Sequence, residues 1–101
     1  MYVSRLSFHV LPGHTHDVEQ ALGTLADLVE GAGLGQTRIL RTSYASSGAA
    51  DLQFEQEAET VAGLEDGITK ITGQESFQRW SQSVTPWLAQ APKRELYRRV
   101  R

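Results

Sequence analysis

YVSRLSFHVLPGHTHDVEQALGTLADLVEGA, residues 2–32, decides the fold, because its hydrophobic pattern changes from a strand period to a helix period across one turn. Leu6, Phe8 and Val10 fall on one face of a strand, and Arg5, Ser7 and His9 fall on the other. After Pro12-Gly13, the residues Val18, Leu22, Leu25 and Val29 recur at helical spacing, with Ala21 and Leu28 widening the stripe. That stripe has to cover the apolar strand face, since either surface alone would be left in water. Thr15 is the expected N-cap. Asp17 and Glu19 then sit in the first turn, where the helix dipole favours acids, and Gly31 or Gly33 supplies a left-handed end.

The remainder repeats this plan. Gln36 to Tyr44 reads as a second strand whose facing is ambiguous, Ser46 to Ala50 as a hairpin loop, and Asp51 to Glu57 as a third strand. In that third strand Leu52 and Phe54 face the core, while Gln53, Glu55 and Glu57 face away. A second helical region comes in two pieces joined near Gly73: Val61, Leu64, Ile68 and Ile71 mark the first, and Phe77, Trp80, Val84, Trp87 and Leu88 the second. Gly63 and Gly67 weaken the first piece, and Pro86 ends or kinks the second. Arg94 to Arg101 closes the chain as a strand, with Leu96 and Val100 set against Tyr97 and Arg99.

The order βαββαβ predicts an α+β, ferredoxin-like single domain over residues 1–101, a four-stranded antiparallel sheet with both helical regions on one face. The other face carries Arg5, Ser7, His9, Gln53 and Glu55, too polar for a core, together with Val3 and Leu11. Something has to cover it or bind there.

Composition narrows the function classes. A net charge of −2 gives no basic field for nucleic acid, and the positions an RNA-binding sheet of this topology would fill with aromatics are Ser7, His9, Gln53 and Glu55. No apolar run is long enough to cross a membrane, and zero cysteines remove thiolate chemistry and disulfides. The expectation is a soluble cytoplasmic protein with no nucleic-acid or membrane partner. Gly31-Ala32-Gly33-Leu34-Gly35 follows a helix, so it reads as a helix end and not as a phosphate cradle, which would precede one. An acylphosphatase-like loop would need arginine and several glycines where Leu11-Pro12-Gly13-His14 stands.

Val10-Leu11-Pro12-Gly13 before an acidic-started helix, Phe54-Glu55-Gln56-Glu57, the split second helix with Phe77 and Trp80, and the closing Arg94-Glu95-Leu96-Tyr97 resemble the dimeric α+β barrel superfamily. That superfamily includes antibiotic-biosynthesis-monooxygenase-like and NIPSNAP-like domains. The resemblance implies a homodimer whose two sheets pack face to face, which would turn the polar face into a barrel interior. It implies either a cofactor-independent, monooxygenase-like enzyme acting on a small hydrophobic or aromatic molecule in the barrel cavity, or a non-catalytic small-molecule-binding or stress-associated dimer. Several members carry a histidine on the second helical region that serves heme or substrate chemistry. Here His9, His14 and His16 all lie in the first sixteen residues, so the resemblance brings no catalytic set with it.

The residues themselves nominate one. Arg5, Ser7 and His9 share a strand face at about 6.6 Å intervals, with Gln53 or Glu55 opposite. His9 could exchange protons near neutrality while Arg5 clamps an anion; alternatively the group is an ion-pair network joining two sheets. Tyr44, Trp80 and Tyr97 would supply the aromatic walls of a pocket with Ser7, Gln53 and Glu55. A cavity of at least about 300 Å³ reaching His9 and an aromatic would favour ligand chemistry over a filled barrel. His14-Thr15-His16-Asp17 is the most metal-like run, but Val18 stands where a further acid would be needed, so it reads as a solvated turn with no metal. Five basic residues lie between Lys93 and Arg101, and Arg99 is expected to reach Glu55 or Glu57 of a second subunit.

Overall fold

The computed structural model describes residues 1–101. Its elements are β1 (Tyr2–Phe8), α1 (Thr15–Gly31), β2 (Thr37–Arg41), β3 (Leu52–Ala58), α2 (Val61–Thr72), α3 (Glu75–Val84), a 3-10 turn (Thr85–Trp87) and β4 (Lys93–Arg98). The sheet runs β2-β3-β1-β4 with every neighbouring pair antiparallel. This is the expected α+β, ferredoxin-like plan.

Strand pleating divides the sheet into two chemical faces. Phe8 on β1 and its ladder neighbour Leu52 are buried on the helix side, as is Phe54 opposite Leu6. Val18, Leu22, Leu25 and Val29 of α1 pack on them, so the stripe read from the sequence is the core. Val84 closes the same cluster from α3, and the Trp80 indole N–H donates to the Ala21 carbonyl at 2.6 Å, tying α3 to α1.

Polar contacts lock the edge strand β2 to α1. Glu30 accepts from the Thr37 backbone N–H at 3.1 Å and from its hydroxyl at 2.7 Å, and Arg41 pairs with Glu19. These contacts settle the facing of β2: Thr37, Ile39 and Arg41 lie on the helix side, and Arg38 and Leu40 on the other. The hydrogen bonds from Thr37 hold the Glu30 carboxyl below its ordinary pKa.

The chain ends differ from the expected caps in one place. Thr15 is the first helical residue, and His14 occupies the cap position without a side-chain cap bond; its ring instead meets Asp17 at 3.0 Å and stacks on Trp87. Gly33, at φ 73°, supplies the left-handed residue after α1. Helix α2 starts on Thr60, whose hydroxyl accepts from the Gly63 N–H, and stops at Gly73. The 3-10 turn around Pro86 ends the region as expected, since a proline cannot donate the next helical bond. Strand β4 begins at Lys93 and stops at Arg98, earlier than Arg101; one further bond, from Arg99 N–H to the Met1 carbonyl, ends the ladder where β1 runs out.

Candidate functional site

The uncovered face of the sheet is built around one carboxylate. Glu55 on β3 is 2% exposed and sits between β1 and β2. Arg5 Nε donates to Glu55 Oε2 at 2.7 Å, Arg38 Nε donates to Oε1 at 2.9 Å, and a second guanidinium nitrogen of each adds a charge-assisted contact. Burial pushes the Glu55 carboxyl up, but hydrogen bonds from Arg38 and Arg5 and their charges outweigh it and hold it below the usual range. The same hydrogen bond raises Arg5. Arg5 also lies over the Tyr97 ring, 5.0 Å from its centroid, as a cation–π contact. Each carboxylate oxygen therefore already holds a guanidinium within the chain.

His9 stands just beyond β1. Its Nε2 donates to the Gly48 carbonyl at 2.9 Å, which leaves Nδ1 buried without a partner. The backbone around it is pinned by Ala89 N–H to the His9 carbonyl at 2.8 Å and by Val10 N–H to Asp51 Oδ2 at 2.8 Å. Tyr44, in the loop after β2, is 98% exposed and shares an open depression with Gln53.

The most enclosed apolar space lies on the helix side of the sheet. It is a cavity of about 250 Å³ between β1, β3 and β4 below and α1, α2 and α3 above. Phe54, Leu25, Ile71, Phe77, Trp80 and Val84 are among its apolar lining, with Phe77 and Trp80 tilted against each other at 5.5 Å. Its polar groups are few: Gln56, Thr72, Ser81, Thr85 and Arg94. Gln56 Nε2 is bound to the Leu34 carbonyl, and the Trp80 N–H is spent on Ala21.

The sheet thus divides the residues nominated from sequence. Arg5, Ser7, Gln53, Glu55 and Tyr97 share the uncovered face, His9 sits at its end, Tyr44 is off in a loop, and Trp80 lines the cavity on the opposite side. The cavity reaches aromatics but not His9, and is smaller than the roughly 300 Å³ that would favour ligand chemistry at His9. Sequence reading missed Arg94 and Ser4. The signal was parity: each polar residue shares a register with apolar ones, Ser4 with Leu6 and Phe8, Arg94 with Leu96. In the His14–Asp17 run, His16 lies 4.0 Å from Glu19 and is 76% exposed, while His14 is taken by Asp17 and Trp87.

No protein-family model and no curated protein matches the chain. Solved structures do match over nearly its whole length. An uncharacterised NIPSNAP domain protein from Burkholderia xenovorans superposes with a TM-score of 0.80 at 8% identity, covering 99% of this chain and 95% of that one. A "putative antibiotic biosynthesis monooxygenase" from Bordetella bronchiseptica gives 0.76 at 19% identity over 98% and 96%. The protein PA3566 from Pseudomonas aeruginosa gives 0.71 at 20% identity over 99% and 94%. The chain therefore shares its ferredoxin-like α+β fold with solved antibiotic-biosynthesis-monooxygenase-like and NIPSNAP-domain proteins.

Proposed function

We propose that the protein binds a small aromatic molecule in the cavity between its sheet and α2–α3, as a two-fold dimer joined through the uncovered sheet face. The observation that carries the ligand reading is the enclosed space of about 250 Å³ with a predominantly apolar wall. An apolar cavity of about 150 Å³ already takes benzene, so this one accommodates a substituted or fused ring. Support for the dimer comes from Leu40 and Tyr97, 38% and 41% exposed on a face where Arg5 and Arg38 are both already paired with Glu55. A second copy would cover them.

The chemistry proposed for this site is cofactor-independent oxygenation of the monooxygenase-like kind. Dioxygen is the oxidant: a ring activated by its phenolic group supplies the electrons, one atom of the dioxygen replaces the two hydrogens of a ring methylene to give a carbonyl, and those hydrogens leave with the other atom as water. The cavity's part is to exclude bulk water and to stabilise the developing anion beside Arg94. Binding without chemistry is the second reading, favoured by one observation: no histidine, aspartate or glutamate lines the cavity to take a proton.

Titration with anthrone, followed by protein fluorescence and by oxygen uptake, tests both. Saturable binding with accelerated oxygen uptake supports the enzyme, and binding with uptake at the background rate supports the carrier. Absence of binding, with naphthalene also excluded, overturns the cavity reading altogether.

A further inference from the structure

We propose that the β4 side of the cavity is an anion subsite in which Arg94, positioned by Ser4, receives the carboxylate of an otherwise apolar ligand. This rests on the cavity being the ligand site and adds the charge that the ligand must carry.

The residues arrive there by register. β4 runs antiparallel to β1 with Arg94 opposite Leu6 and Leu96 opposite Ser4, so all four share the helix side of the sheet. Arg94 Nη1 donates to the hydroxyl of Ser4, a residue only 2% exposed, and Arg94 lines the cavity together with Leu6, Phe77, Trp80 and Leu88. A serine in a fully buried strand position is costly unless it has a partner, and here the partner is a guanidinium.

That guanidinium lacks a counter-charge. Arg5 and Arg38 share Glu55, Arg41 has Glu19 and Arg79 has Glu75, whereas Arg94 meets only a neutral hydroxyl, and no acidic side chain lines the cavity. Arg94 is exposed as a whole residue, and partial burial against the cavity lowers its pKa. A cation that has lost water without gaining an anion is worse off than in solution, and an entering carboxylate reverses the balance. The planar fork of donors matches a carboxylate better than it matches any neutral group. The competing role is structural: the arginine stem packs beside Pro92 and caps the cavity mouth while its head snorkels to water. Only a charge-bearing role predicts a preference between ligands of one shape.

The test compares naphthoate with its methyl ester, the same ring with the charge removed, binding to the full chain. Naphthoate is expected to bind tighter by about tenfold or more. Arg94→Met is expected to abolish that preference while keeping the ester's affinity, and Arg94→Lys to retain part of it, because the charge remains and the fork is lost. Ser4→Ala frees the guanidinium and is expected to reduce the preference severalfold, which keeps the question open to test should Arg94→Met fail to fold. Arg98→Met, on the exposed strand nearby, is expected to leave the preference intact. Equal affinities in the unaltered protein, or a preference that survives Arg94→Met, overturn the subsite while leaving the cavity reading in place. If neither probe binds, both fall.

Discussion

Arg5 and Glu55 are direct cross-strand partners in the β1–β3 ladder, and their side chains meet at 2.7 Å on the one sheet face that no helix covers. With Arg38 arriving from β2, the carboxylate joins three adjacent strands. The sheet's polar face is thus tied together by one buried anion, and the site proposed for ligand lies on the opposite side.

Removing that anion leaves two guanidinium groups facing each other. Glu55→Gln is expected to destabilise the fold by about 1–3 kcal/mol, the range for losing hydrogen bonds to charged groups. Arg38, 60% exposed, can turn to water and moderates the loss, so Arg38→Gln is expected to cost under about 1 kcal/mol. Urea titrations of the two variants check the order; a larger loss for Arg38→Gln contradicts it.

The depressed Glu55 pKa fixes the direction of acid sensitivity. A carboxyl held below its unfolded value, about 4.3 for glutamate, contributes stability that is fully present above that pH and is lost as pH falls through the folded value. Glu30, lowered by Thr37, acts in the same direction. Melting temperature is expected to drop as pH falls below roughly 4.5, and the drop is expected to be shallower in Glu55→Gln. Parallel curves for the two proteins would remove Glu55 from the acid limb.

Two glycines four residues apart, Gly31 at the end of α1 and Gly35 just beyond it, are expected to respond oppositely to alanine. Gly35 has φ 101°, and a Cβ there would lie 2.7 Å from the Glu57 carbonyl oxygen, so Gly35→Ala is expected to cost about 2 kcal/mol or more. Gly31 is helical with nothing within 4 Å of the added carbon, so Gly31→Ala is expected to gain up to about 1 kcal/mol. Thermal melts of the two variants read the difference directly.

If the uncovered face joins two copies, charge placed on its apolar residues weakens assembly without unfolding the protomer. Leu40→Glu combined with Tyr97→Glu is expected to raise the dimer dissociation constant by on the order of tenfold or more, because four like charges would meet across a two-fold axis. Sedimentation at several concentrations measures it. A single monomeric species for the unaltered protein at micromolar concentration would reject the interface. Pairing of Arg99 with Glu55 of a second copy has a specific obstacle: Glu55 is already held by Arg5 and Arg38, and Arg99 Nε donates to the Arg101 carbonyl.

The sequence by itself determined the element order, the α1 stripe, the core face of β3 and the break of the second helical region at Gly73, because each is written in neighbouring residues. Hydrophobic period, glycine and proline are local signals, and Val18, Leu22, Leu25 and Val29 are buried for the reason their spacing predicts. The tertiary structure alone decided the facing of β2 and the contents of the site. Arg5, Glu55 and Arg38 come from three strands, and Ser4 meets Arg94 across ninety positions of chain, so no local pattern reports either contact. Pleating then separates Trp80 from Arg5 and Tyr97 by the thickness of the sheet, because alternate residues of a strand face opposite sides and helices cover only one of them.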